Sequence, residues 1–269
     1  MRRLIKGGRL VTEIDSYESD VLIEDGSISA IGRDLATAGD CEVYDASGKR
    51  VLPGAIDAHV HVTLELGGHV SSDFRSTTRE AALGGVTTIL TYATPGKGQT
   101  LDETVEERIE EAEGECYVDY GLHAALANWD DREDDEIPRM IDAGIPSFKA
   151  YTVYSSSGLR IDEEQLYSAL LNTGRHGGLL EVHCENEWMI DRRIKRLVHE
   201  KRLRPTDHAA SRPSYAEADA VASLLRLAYD AGAPVYVVHV SAGESLEAID
   251  EARELGLESI NLLDNSGEN

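Results

Sequence analysis

Pro53-Gly54-Ala55-Ile56-Asp57-Ala58-His59-Val60-His61 divides this sequence in two and sets the fold of its larger part. Upstream of it the apolar residues sit in short segments: Leu4-Ile5, Arg9-Leu10-Val11, Asp20-Val21-Leu22-Ile23, Ser27-Ile28-Ser29-Ala30-Ile31 and Glu42-Val43-Tyr44. Short alternating segments of this kind read as half-buried strands. Glu24-Asp25-Gly26 marks a tight hairpin turn between two of them. Residues 1–52 are therefore expected to form a small β domain. From Pro53 onward the rhythm changes. Strand-like apolar runs at 55–60, 86–91, 118–123, 147–150, 179–183 and 235–240 alternate with helical stretches at 75–83, 101–113, 133–143, 162–173 and 244–254, and with two helices across 187–231. Strands buried on both faces and alternating with helices predict a parallel sheet, either a barrel or a doubly wound fold. Six βα units are expected, with a seventh strand near 259–263. No solenoid repeat or low-complexity segment interrupts them.

The composition bounds the function. With 269 residues and 41% apolar content the chain can bury a sizeable core and is not disordered. No run approaches the ~18 apolar residues of a membrane span. Met1-Arg2-Arg3-Leu4-Ile5 leads into Lys6-Gly7-Gly8 without the apolar region of a secretion signal. Cys41, Cys116 and Cys184 are odd in number and lack CxxC spacing, which argues against a disulfide framework or a structural zinc site. A cytoplasmic protein is expected, with no membrane partner. Fifty acidic residues against 26 basic ones give a net charge of −24, which argues against a nucleic-acid partner. Such a surface could bind a basic partner. The scarcity of lysine among the basic residues favours a solvated surface adapted to high salt. One stretch runs the other way, with Arg192, Arg193, Lys195, Arg196, Lys201, Arg202 and Arg204 within thirteen residues. Ile190, Ile194, Leu197 and Val198 interleave there at helical spacing, so an amphipathic helix with a charged outer face is expected.

The chemistry concentrates at strand ends. His59 and His61 lie two apart at the end of the first barrel strand, where residues i and i+2 share a face and can converge on one ion. A lone strand histidine is usually structural, so the other strands matter. His183 follows Leu179-Leu180-Glu181-Val182, and His239 follows Val235-Tyr236-Val237-Val238. Lys149 occupies the same place in Ser147-Phe148-Lys149-Ala150. The C-terminal ends of strands are where barrels build their sites. A lysine there costs free energy as a buried ammonium and should lose its proton or its charge, unless the strand end reaches the surface.

These stretches resemble the amidohydrolase superfamily, and within it the hydantoinase/dihydropyrimidinase family. The matching segments are the Pro53–His61 stretch, Gly84-Gly85-Val86-Thr87-Thr88-Ile89, Ser147-Phe148-Lys149, Val182-His183-Cys184-Glu185-Asn186, Ser211-Arg212-Pro213 and Val238-His239-Val240-Ser241, in family order. The resemblance implies two divalent metal ions, Zn²⁺ or alternatively Mn²⁺. His59 and His61 would hold one ion, His183 and His239 the other. Lys149, carbamylated by CO₂, would bridge both. It also implies a bridging hydroxide that attacks a cyclic amide, with Tyr154 binding the developing oxyanion; the alternative for Tyr154 is an aromatic loop anchor. The substrate would be a hydantoin or dihydropyrimidine, with allantoin as an alternative. The arginine with which dihydroorotases bind a substrate carboxylate is missing from Val62-Thr63-Leu64-Glu65-Leu66-Gly67-Gly68, which disfavours a free-acid substrate. Glu65-Leu66 stands where the family commonly has Pro-Phe. His208 is expected to fix the nearby loop, and His69, His123, His176 and His199 to serve packing or surface roles. Cys184 should face away from the His183 side, which argues against a nucleophilic role.

The family barrel continues past the strand carrying His239, and its last strand supplies an Asp that acts as base and acid. No such motif occurs before Asn269, and Asp264 is a weak substitute. The expectation is an incomplete (β/α)8 TIM-type barrel at 53–269, C-terminally truncated, beside an N-terminal half of a composite β-sandwich at 1–52. Turnover is expected to be impaired. The assembly implied is a homo-oligomer, a tetramer by family, or a complex with a missing C-terminal polypeptide. The competing class is a non-catalytic scaffold or interaction protein that keeps the fold.

Overall fold

The computed structural model describes residues 1–36, 39–66, 69–257 and 259–263, excepting the side chains of 65, 66, 69 and 259–263. Gly67-Gly68 and Asp264 lie outside the described residues, as do the side chains of Glu65, Leu66 and His69. Contacts divide the chain into two compact units, Met1–Ile56 with Gly85–Thr87, and Asp57–Gly84 with Thr88–Asn269.

The first unit holds β1 (Arg2–Val11), β2 (Ser16–Glu24), β3 (Ser27–Gly32), β4 (Glu42–Asp45) and β5 (Arg50–Val51). The sheet order is β3-β2-β1-β4, with β5 also paired to β1. Asp25 and Gly26 both take positive φ, 50° and 85°, as a type I′ turn requires, and join β2 to β3 as an antiparallel hairpin. Leu4-Ile5 and Arg9-Leu10-Val11 belong to one strand rather than two. The register slips between Ile5 and Gly8, where Gly7 takes φ +70° and absorbs a bulge. Asp20 is buried, and its carboxylate accepts the Gly7 and Leu35 amides at 2.8 and 3.1 Å, which offsets its desolvation.

The second unit begins within β6 (Ala55–Val60) and continues with the short pair β7 (Glu65–Leu66) and β8 (His69–Val70). There follow α1 (Phe74–Gly84), β9 (Val86–Ala93), α2 (Leu101–Ala112), β10 (Asp119–Ala125), α3 (Glu133–Asp142), β11 (Ser147–Tyr151), α4 (Glu163–His176), β12 (Leu179–His183), α5 (Glu187–His199), α6 (His208–Ser211), α7 (Ser214–Ala231), β13 (Val235–Val240), α8 (Gly243–Glu254) and β14 (Ser259–Leu263). Local chemistry sets several helix ends. Thr100 and Asp162 cap α2 and α4 in reciprocal capping boxes with Glu103 and Gln165. Gly177 and Gly232 end α4 and α7 in the left-handed conformation. Among the described residues no helix is long and apolar enough to cross a membrane.

The large sheet runs β14-β13-β12-β11-β10-β9-β6, so every strand neighbours its predecessor in the chain. A doubly wound fold reverses its order at a switch point, and this sheet does not. The arrangement is that of an incomplete (β/α)8 barrel. The core lies where β9 to β13 meet the helices, through Ala124, Phe148, Leu170, Leu180, Val182, Leu224 and Val235. On α5 only Ile190 and Leu197 are buried, while Ile194 and Val198 are exposed, so the apolar face is narrower than its spacing predicted.

Gly54 enters β6 with no room for a side chain. A Cβ there would stand 2.1 Å from Thr87 Oγ1 and 2.4 Å from its Cγ2. The branched threonine cannot remove both atoms by one rotation. Gly54→Ala is expected to cost about 1–3 kcal/mol, and Gly54→Ala/Thr87→Ala to recover only part of it, because the Cβ at 87 itself stands 2.7 Å from the added one. Thermal or urea unfolding checks both, and a double variant no more stable than Gly54→Ala would sink the steric account.

Candidate active site at the strand ends

The curl of the large sheet decides which residues meet. His59 on β6 and His239 on β13 are five strands apart in sheet order, which in a flat sheet would mean about 24 Å at the usual strand spacing. Their ring centroids are 5.4 Å apart. His59 meets His61 at 5.2 Å and His183 meets His239 at 4.6 Å. All four histidines therefore gather at one end of the sheet. Lys149 lies among them on β11, 1% exposed, its Nζ 5.4 and 5.1 Å from the ring centres of Tyr92 and Tyr151.

Burial controls the charge of this cluster. Desolvation, with the Lys149 charge adding to it, holds His59 and His61 far below the ordinary histidine pKa, at about 2 and about 4. Desolvation and neighbouring His183 bring His239 to about 3. All are neutral imidazoles at physiological pH, which is the ligand form. The same desolvation lowers the Lys149 ammonium to about 7, and nearby Glu181 opposes it. Two buried atoms here have no hydrogen-bond partner among the described residues: His59 Nδ1 and Lys149 Nζ. Orphaned nitrogens among neutral imidazoles fit a divalent cation better than they fit a packed core. Even so, among the described residues no three His, Cys, Asp or Glu side chains already surround one point. His183 Nδ1 and His239 Nε2 share a hydrogen at 2.9 Å, and His183 Nε2 faces Glu185 Oε2 at 2.9 Å. An ion taking both rings would have to open the first contact.

Tyr154 follows β11 with φ +75°, its ring 5.3 Å from His183. The Arg212 guanidinium lies 5.6 Å from the Tyr154 ring centre and bonds Glu185. Burial keeps the Tyr154 phenol above its ordinary pKa, so it is a hydrogen-bond donor at neutral pH. Cys184 packs in the apolar core.

Several contributors were not singled out from sequence. Glu185 and Arg212 stand in quoted motifs, yet their pairing spans 27 residues. Tyr92, His123 and Glu181 form a buried polar layer at 3%, 3% and 2% exposure. His123 is thus not a surface residue. Its Nε2 faces the Ala58 carbonyl at 3.1 Å, and a carbonyl only accepts, so Nε2 carries the hydrogen. Nδ1 then accepts from the Ser147 hydroxyl at 2.7 Å. Glu181 Oε1 approaches the same nitrogen at 3.1 Å, and desolvation pushes its carboxyl toward the protonated form, which lowers the repulsion between the two. The one available signal was Glu181 itself, an acid two residues before His183 on the same strand face.

Beside the cluster lies a cleft of about 520 Å³, lined by His61, Thr63, Tyr92, Lys97, Asn128 and Leu159 among others.

No family model matches the chain. It is 40% identical to a D-hydantoinase of Geobacillus stearothermophilus over 259 residues, covering 96% of this chain and 55% of that protein. It is 35% identical to the dihydropyrimidinase of Rattus norvegicus over 261 residues, covering 95% and 50%. The crystal structure of dihydropyrimidinase from Brevibacillus agri superposes with a TM-score of 0.93 at 37% identity, covering 97% of this chain and 57% of the other. Over nearly its whole length the chain is similar to hydantoinases and dihydropyrimidinases. It spans about half the length of the curated relatives it matches.

The lowered histidine pKa values have a testable sign. Below pH 6.5 the unfolded chain binds protons that folded His61 refuses until about pH 4. Stability carried by that group is therefore lost as pH falls through this window. In metal-free buffer, His61→Gln is expected to lose less melting temperature than the unsubstituted chain between pH 7 and pH 5. Equal losses in the two proteins would show that His61 is not held neutral.

Proposed function

We propose that the protein is a metal-dependent hydrolase of the cyclic amide bond in hydantoins or dihydropyrimidines, working in a high-salt cytoplasm. The observation that carries this reading is the gathering of His59, His61, His183 and His239 around a buried Lys149 with an orphaned amine. The similarity to proteins named D-hydantoinase and dihydropyrimidinase supports the reaction class.

His59 and His61 would hold one divalent ion and His183 and His239 another, Zn²⁺ or Mn²⁺, with Lys149 between them. Such ions supply Lewis acidity, which polarises the scissile carbonyl and makes water nucleophilic near neutral pH. The chain's own residues prepare the site. An ammonium at Lys149 would repel cations. A free amine there can add to CO₂, forming an N–C bond and releasing one proton. The product is a carbamate, an anion where the site needs one. Neutral imidazoles offer lone pairs without first losing a proton. Tyr154, kept protonated by burial, can donate its hydroxyl to the oxygen that becomes negative as the amide carbonyl turns tetrahedral. The adjoining cleft is within the roughly 300–1,000 Å³ of small-molecule sites. Allantoin has the same cyclic ureide chemistry and is a further candidate. Homo-oligomerisation, or completion by a further polypeptide, belongs to this reading.

One observation favours a second reading, a non-catalytic scaffold. His183 and His239 are bonded to each other rather than presented as open donors.

With Zn²⁺ or Mn²⁺, bicarbonate and high salt, the chain is expected to hydrolyse dihydrouracil or hydantoin at an impaired rate, and chelation to abolish this. Lys149→Ala should lower kcat/KM about a thousandfold or more, and Tyr154→Phe about a hundredfold. Absorbance assays of ring opening and metal analysis provide the check. Absence of bound metal with bicarbonate present would sink the metal reading. Bound metal without turnover would favour the scaffold.

A further inference from the structure

Beneath the histidines, Tyr92, His123 and Glu181 form a buried layer to which the proposed chemistry gives no task. Glu181 lies on β12 in register with Lys149 on β11 and on the same strand face as His183. Its carboxyl makes two contacts. Tyr92 donates its hydroxyl to Oε2 at 3.1 Å. Oε1 lies 3.1 Å from His123 Nδ1. The first contact sets the plane of the Tyr92 ring, which stacks on His61 at 5.0 Å and 30° and meets His59 at 5.1 Å and 68°. The second braces His123, whose Nε2 donates to the Ala58 carbonyl, in the peptide just before His59. Both routes lead from one carboxyl group to the two imidazoles of a single strand end.

Packing alone does not call for this arrangement. A phenylalanine at 92 and an apolar residue at 181 would fill the same space without burying a hydroxyl and a carboxyl. The two polar groups satisfy each other, and what they fix in common is the wall against which His59 and His61 rest.

We propose that Glu181 is a positioning residue, which through Tyr92 and His123 orients His59 and His61 as one half of the metal site. This rests on the metal reading above. It concerns that half first, since Tyr92 contacts the β6 histidines and His123 the peptide before His59, neither reaches His183 or His239, and the shared Lys149 lies farther off, its Nζ 5.4 Å from the Tyr92 ring centre.

The test is titration of the chain with Co²⁺ in bicarbonate buffer, reading bound cobalt after dialysis and its visible absorption. Tyr92→Phe removes only the hydroxyl, and Glu181→Met removes the acceptor at similar volume. Each is expected to weaken one cobalt equivalent about tenfold and alter its spectrum, leaving the other intact, whereas Glu181→Gln, which can still accept from Tyr92, stays within about threefold. Tyr92→Phe keeps the test open if Glu181→Met does not fold. Wild-type affinity and spectrum in Tyr92→Phe would overturn the inference and leave the metal reading standing. Loss of both equivalents together, or equal loss in Glu181→Gln, would also overturn it, by showing a general structural role. Failure of the unsubstituted chain to bind cobalt would sink the metal reading and this inference with it.

Discussion

A primary amine buried in the middle of a central strand, and not at the strand end that the sequence suggested, sets the conditions for everything around it. Lys149 sits on β11 with β10 and β12 paired on either side, and water does not reach its Nζ. An ammonium so placed loses its hydration and recovers little, because aromatic faces at about 5 Å replace only part of it. The amine therefore becomes the easier form to hold near neutral pH. The same loss of water leads the causes that keep His59, His61 and His239 neutral and push Glu181 upward. One cause thus pushes basic nitrogens and a neighbouring acid alike toward their uncharged forms.

Much of this was legible because strands impose a period of two and place chemistry at their ends. His59 and His61 share a face for that reason, and His183 and His239 each come at the end of an apolar run that reads as a strand, while Lys149 lies inside one. The alternation of strand and helix alone left barrel and doubly wound sheet open; the motif resemblance pointed to the barrel, and the sheet order agrees. Pairing partners lie outside any local pattern. The buried layer was hidden for a related reason. Tyr92 and His123 look like ordinary strand residues until the curl of the sheet sets them against β6, and their partner Glu181 lies 89 residues from Tyr92. Arg212 and Glu185 are comparable: each is visible as a motif residue, but their bond depends on the path through α5 and α6. In the smaller unit the reading of β1 as two strands failed because a bulge at Gly7 breaks the alternation without breaking the strand.

The backbone at the strand ends carries a constraint of its own. Thr63, Tyr154 and His239 follow or close β6, β11 and β13, and all three take left-handed φ, at 49°, 75° and 36°. Residues with a Cβ avoid that region at a cost of about 1–3 kcal/mol each, so each needs local support. Arg108 supplies it at Thr63, donating from Nη1 to the Val62 carbonyl and to Thr63 Oγ1. After His239, Glu217 accepts the amides of Ser241 and Ala242 and the hydroxyl of Ser245, which pins the turn into α8. Near Tyr154, Ser155 donates its amide to Glu187, and Arg212 lies over the ring. Ordinary strand exits would turn these side chains along the sheet. The left-handed residues redirect the chain instead, and the supporting bonds come from helices and loops that have no other business at the strand ends. Strain held in three separate exits from one sheet face, each with its own brace, is what a preorganised site requires and what a merely packed sheet would have no reason to keep.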